Sequence, residues 1–155
     1  AMLADPAEAE RSVLGAIPYQ ENVAVLHTDE RMLPRRRLAR AAWNYHVPAH
    51  AERRATLTYS MNILQRIESP LQFCVTLNET AAIDPDKILY STVYHHPVYT
   101  RQTVEAQRRW SEISGPRNTH YCGAYWFYGF HEDGVNSALR VCDAIRNAAN
   151  VRARA

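Results

Sequence analysis

The chain has 155 residues and a mass of 17.7 kDa, enough for a compact domain with a real core. Hydrophobic residues make up 46% and charged residues 22%, which excludes a disordered chain, and no apolar run reaches the roughly 18–20 residues that cross a bilayer. The net charge of 18 − 16 = +2 is too small to argue for nucleic acid, and every cation except Lys87 is arginine.

The N-terminus lacks a basic stretch followed by an apolar one, so no secretory signal is expected. Cys74, Cys122 and Cys142 are odd in number and form no C-x-x-C, which fits buried thiols in a reducing cytoplasm.

Asp5, Pro6 and Glu8 read as a helix start, with Gly15 as its stop. A short strand is expected over residues 22–26 and a turn from Thr28 to Pro34. Residues 39–47 carry Trp43 and Tyr45 at strand spacing. Residues 55–61 alternate and residues 72–77 form an apolar run, with Ser69 and Pro70 between them. A turn at Asp84–Asp86 precedes another β-rich run to Tyr94. Connections this short suit antiparallel hairpins and meanders. Thr100 caps an expected helix over 101–113, broken by Ser114, Gly115 and Pro116. Thr119–Ala124 reads as a short buried strand. A helix over 133–149 places Val135, Ala138, Leu139, Cys142 and Ile145 on one stripe.

The most informative stretch runs from Thr119 to Arg140: a strand, Gly123, an aromatic loop, Gly129 and an amphipathic helix. Such a strand delivers the chain to a helix N-terminus, where unpaired N–H groups and the positive end of the dipole form an acceptor for anions or carbonyls. Gly123 and Gly129 permit close approach of a flat ligand. The aromatics from Tyr125 to Phe130 supply π-faces, although aromatic runs usually fill cores and packing alone explains them.

Tyr121–Cys122–Gly123, then Gly129–Phe130–His131–Glu132 and Ser137–Ala138–Leu139–Arg140, resemble the C-terminal pattern of flavin-containing amine oxidases and the similar protoporphyrinogen oxidases and phytoene desaturases. More loosely, residues 15–22, 25–29, 33–37, 43–45, 58–62 and 94–100 are similar to a bacterial subgroup described as predicted NAD/FAD-binding oxidoreductases. That subgroup also resembles the oxidase-like region fused to plant cyclopropane fatty-acid synthases.

The resemblance implies an FAD cofactor contacted by Gly123, Ala124, Gly129, Phe130 and His131. It also implies a substrate-domain sheet over 1–95 and a return into the FAD domain over 96–155. Three departures stand out. Ala124 occupies the place of an acidic or amide residue, no G-x-G-x-x-G precedes it, and no active-site lysine is present. A lone chain is therefore expected to hold FAD poorly and to be inactive by itself.

His95 and His96, adjacent on a strand, point to opposite faces and make a poor chelating pair; one of them, or His131 at the helix start, is a candidate for proton handling. His120 and Cys122 lack further metal ligands, so no metal is expected. Arg35, Arg36, Arg37 and Arg40 read as a solvated turn, with phosphate or an acidic lipid head group as the other reading.

The expected class is α+β: a mainly antiparallel sheet with flanking helices and a C-terminal strand-loop-helix. The expected function is hydride transfer from a substrate C–H bond to flavin, on a lipid or amine. The partner is a missing N-terminal Rossmann domain or a second copy. The alternative is a non-catalytic module that dimerises through its exposed sheet.

Overall fold

The computed structural model describes residues 3–47 and 56–154, and it is α+β. Its elements are helices α1 (Glu8–Gly15), α2 (Met61–Gln65), α3 (Arg101–Arg108), α4 (Trp110–Ile113) and α5 (His131–Arg154), and strands β1 (Tyr19–His27), β2 (Trp43–His46), β3 (Thr56–Ser60), β4 (Cys74–Leu77) and β5 (Ile88–Pro97). Ala55, the expected first residue of the third strand, lies outside the described residues. The chain forms two compact units, one of residues 21–96 and the other of the residues before 21 and after 96. The sequence alone suggests a single division, between residues 95 and 96. The first twenty residues instead join the C-terminal unit, because α1 supplies Val13 to the core that holds Trp110 and Ile113.

The sheet unit has strand order β2-β3-β4-β1-β5 and is antiparallel. Its register places Trp43, Tyr59, Val75 and Leu26 in one row, and Asn44, Thr58, Thr76 and Val25 in the next. Because successive side chains alternate, these rows belong to opposite faces.

The buried face is unusually polar. Thr56, Thr58, Ser60, Thr76 and His27 are all buried. They are tolerated because each is bonded: Thr56 to the His46 carbonyl, Ser60 to Gln72 Nε2, and the others to one another. Thr58 and Thr76 share a hydroxyl bond of 2.8 Å, and His27 Nε2 meets Thr76 Oγ1 at 2.7 Å. The Asp29 amide donates to His27 Nδ1 at 3.1 Å. An imidazole that accepts at Nδ1 carries its proton on Nε2, so His27 is the neutral donor to Thr76.

Asp29 itself is fully buried and accepts from Arg31 Nε, Arg31 Nη2 and the Asp84 amide. The Arg31 guanidinium holds its carboxyl well below the usual carboxylate range, against the opposing pull of burial. This aspartate ties the 29–33 turn to the 84–87 turn. The other face carries Leu57, Tyr59, Val75 and Leu77 half-buried, with Trp43 and Tyr45 exposed. Trp43 and Tyr59 pack edge to face with centroids 5.4 Å apart.

The helical unit is held by Val13, Ile17, Ala106, Trp110, Ile113 and Trp126. Burying each large member contributes about 1.5–3 kcal/mol before entropy is counted. The expected start of α1 at Asp5–Pro6 moves to Glu8: the Glu10 carboxylate reaches back to the Ala7 amide at 2.7 Å and closes the first turn there. Thr100 caps α3 as expected, accepting from the Thr103 amide at 3.1 Å. The single helix expected over 101–113 divides at Arg109, which leaves helical geometry with φ −90° and ψ 9°.

Helix α5 starts two residues earlier than expected and presents a different face. Val135, Ala138, Leu139, Cys142 and Ile145 are all exposed. Instead Ser137 is buried, while Gly134, Val141 and Ala144 are half-buried. The helix packs closely on the preceding loop, and close packing selects small side chains over large apolar ones.

Candidate functional site

The segment before α5 departs from expectation first. Thr119–Ala124 was expected to be a strand, and residues 119–123 pair with no strand. Their backbone is engaged by side chains instead. The Tyr121 amide donates to Ser114 Oγ at 3.3 Å, and Trp110 Nε1 donates to the Tyr121 carbonyl at 2.7 Å. The Tyr121 hydroxyl donates to Glu10 Oε1 at 2.6 Å. That bond, with the Ala7 amide, lowers the Glu10 carboxyl, while burial and then Glu10 push the Tyr121 phenol up to about 12.

Gly123 adopts φ +153° and donates its amide to the buried Ser137 Oγ at 3.1 Å. The Tyr125 ring lies over it so closely that a Cβ on Gly123 would sit 2.3 Å from Tyr125 Cε1. A tight turn over Ala124–Trp126 follows. Gln107 Nε2 anchors the aromatic loop by donating to the carbonyls of Tyr125 at 2.9 Å and Phe127 at 2.7 Å. The aromatic run therefore splits. Trp126 is core at 3% exposure and Tyr125 and Phe127 pack against it, whereas Tyr128 and Phe130 are exposed at 82% and 59%.

Gly129 has φ +92°, the left-handed region where a side chain is strained. A Cβ there would sit 2.6 Å from the Tyr99 hydroxyl. Burial pushes the Tyr99 phenol up, helped by the negative charge of Asp133. Asp133 Oδ2 accepts from the amides of Phe130 at 2.9 Å and Tyr128 at 3.2 Å, so it caps α5. The first amide bonded within the helix is that of Gly134, to the Phe130 carbonyl at 3.2 Å. This leaves the amides of His131, Glu132 and Asp133 as the donors at the head of a 24-residue helix.

Gly123, Ala124, Gly129, Phe130 and His131 thus share one loop and helix start, but they differ in availability. Gly129, Phe130 and His131 are exposed, while Gly123 is covered by Tyr125 and its amide is consumed by Ser137. Tyr125 and Ser137 are legible as a π-face and a helix residue, but their contacts to Gly123, the reach of Tyr99 to Gly129, the anchoring by Gln107 and the capping role of Asp133 go unread. Asp133 three residues after Phe130 was a readable capping signal. The others act through tertiary contacts that spacing does not encode.

His95 and His96 belong to the sheet unit, on β5, and both are exposed. His95 Nε2 lies 3.8 Å from Glu21 Oε1, and His96 Nδ1 accepts from Asn22 Nδ2 at 2.9 Å. Each has a polar neighbour on β1, and no group of three His, Cys, Asp or Glu side chains among the described residues is arranged to hold a metal. His120 borders a groove of about 740 Å³ shared with Leu14, Cys122 and Tyr125. Its Nδ1 is buried with no partner among the described residues.

The geometry defines an α+β protein with an uncovered helix head beside exposed aromatic rings. The chain matches no family model and no curated protein. No described helix is long and apolar enough to cross a membrane.

Proposed function

We propose that this chain is the C-terminal portion of an FAD-dependent oxidoreductase of the amine-oxidase type, in which Gly129, Phe130 and His131 border the flavin. The supporting observation is the head of α5: three amides with no acceptor among the described residues, a glycine in left-handed geometry, and exposed rings of Tyr128 and Phe130 beside it. Such donors suit a carbonyl on the edge of a flat heteroaromatic ring. The Gly123 end does not suit a diphosphate, because its amide is already bonded and its face is covered. The phosphates and ribityl chain are therefore assigned to an N-terminal Rossmann domain or a second copy, and the lone chain is inactive.

Bound flavin would supply hydride acceptance from a substrate C–H bond. The chain's own contribution is orientation at the helix head and exclusion of water by Tyr128 and Phe130. His131 is the candidate proton carrier at that edge; His95 and His96 stay candidates from the sequence alone. A lipid or amine is the proposed substrate and the cytoplasm the proposed location. Titrating FAD into the chain while following flavin absorption tests the reading: a weak, saturable shift that Phe130→Ala removes supports it. An unshifted spectrum at saturating protein opposes it.

The second reading is a non-catalytic module that dimerises through its sheet. It draws on β5, an edge strand on which Leu89, Tyr90, Val93 and Tyr94 are all exposed. Light scattering that finds a dimer broken by Val93→Lys, with no flavin response, favours it.

A further inference from the structure

We propose that the sheet unit carries a docking surface for an anionic lipid bilayer, formed by the arginine turn at 35–38 and the α2 corner. In the turn, Leu38 is fully exposed, at 104%. It follows three consecutive arginines, Arg35, Arg36 and Arg37, none of whose side chains is bonded to a carboxylate among the described residues. Arg40, by contrast, is committed to Glu30 at 2.9 Å. A leucine held wholly in water beside three guanidiniums that meet no carboxylate among the described residues has no role in the core of this unit.

The second part lies across a shallow depression of about 270 Å³, bordered by Arg37 and Arg40 on one side and Ile63, Pro70 and Leu71 on the other. A second depression, along Arg36, Arg37, Leu38 and Ala39, shares Arg37 with it, so the two parts are contiguous. Helix α2 is five residues long and ends at Arg66, which takes left-handed geometry with φ 54°. On α2 and the turn after it, Ile63, Leu64, Ile67 and Leu71 are exposed at 36–56%, interspersed with the exposed Gln65, Arg66 and Glu68. The Asn62 side chain fixes this corner by bonding the carbonyl of Leu71 and the amide of Phe73, so the apolar groups are held out on an ordered turn.

Apolar side chains raised on an ordered turn and lying next to the arginine turn match the two components of a bilayer interface. The arginines meet anionic head groups, and the leucine and isoleucines enter the acyl boundary. A nucleic acid would use the arginines and leave Leu38 in water. The charge and the apolar exposure together select the bilayer. This surface stands independently of the flavin reading.

The test is co-sedimentation of the full chain with vesicles of phosphatidylcholine alone and of phosphatidylcholine mixed with phosphatidylglycerol. Binding is expected to the mixed vesicles, weakening as salt rises. Arg35→Gln, Arg36→Gln and Arg37→Gln together are expected to lower it on the order of a hundredfold, and Leu38→Ser about tenfold. Leu139→Ser, on the exposed stripe of α5, serves as the control and leaves it unchanged. All these side chains are exposed, so an unchanged unfolding midpoint confirms that each variant folds. Failure to sediment with anionic vesicles overturns the proposal. So does binding that ignores Leu38, or arginine-dependent binding to a single-stranded oligonucleotide that equals the vesicle response.

Discussion

The Gly123 amide donates to the Ser137 hydroxyl at 3.1 Å, fastening the loop before α5 to a point well inside that helix. Ser137 is 1% exposed, so its oxygen has no water to accept from in place of the amide. One bond thus fixes the loop's distance from the helix and occupies the Gly123 amide.

Ser137→Ala should destabilise the helical unit by about 1–2 kcal/mol, because it leaves the half-buried Gly123 amide without its acceptor. Gly123→Ala should cost about 2 kcal/mol or more, since the new methyl meets the Tyr125 ring. Urea denaturation measures both. In a Tyr125→Ala background the Gly123→Ala cost should shrink, and an unchanged cost would show that backbone geometry alone is responsible.

Gln107 holds two carbonyls of the aromatic loop, and Gln107→Leu removes both bonds. A loss of about 1–3 kcal/mol is expected. Amide exchange should accelerate over residues 124–128 more than in α1. Uniform acceleration across the helical unit would contradict the anchoring role.

Stability should depend on pH through His27. Burial depresses its folded pKa, with Asp29 opposing, while the unfolded chain titrates near the ordinary value of about 6.5. Between those two values the unfolded chain binds the extra proton, so stability falls as pH drops through that window and levels off below it. Asp29 adds a second loss at lower pH, below about 4, as its folded carboxylate resists a proton that the unfolded chain accepts. Urea midpoints from pH 8 downward check this, and His27→Gln should flatten the first step.

The three cysteines should separate by reactivity. Cys122 and Cys142 are exposed, while burial raises the Cys74 thiol to about 11. A thiol reagent at neutral pH should label two groups quickly and the third only on unfolding. Rapid labelling of all three would show that the sheet unit opens readily.

The strands were largely legible, because alternation and turn residues mark them locally. Which face is buried was less so. In β3 and β4 the larger apolar side chains, Leu57, Tyr59, Val75 and Leu77, lie on the more open face, and the threonines and Cys74 are inside. Hydrophobicity alone cannot foresee a buried face satisfied by hydroxyl pairs and a neutral histidine. Helix α5 was legible as a helix, but its packed face was misjudged for a related reason: Gly134 and Ser137 are chosen for size and bonding. The α2 helix went unrecognised because five residues give too little periodicity to detect. At the candidate site, the loop and helix start were readable from Gly123, Gly129 and the run to Arg140. The tyrosines that cover both glycines were not, since Tyr99 reaches Gly129 from thirty positions away.

The most direct test of the flavin reading is an amide chemical-shift map of the chain as FAD is added. Saturable shifts centred on Gly129, Phe130, His131 and Glu132, with Gly123 unmoved, are the predicted result. A spectrum that stays unchanged at excess FAD, or shifts confined to other segments, would contradict it.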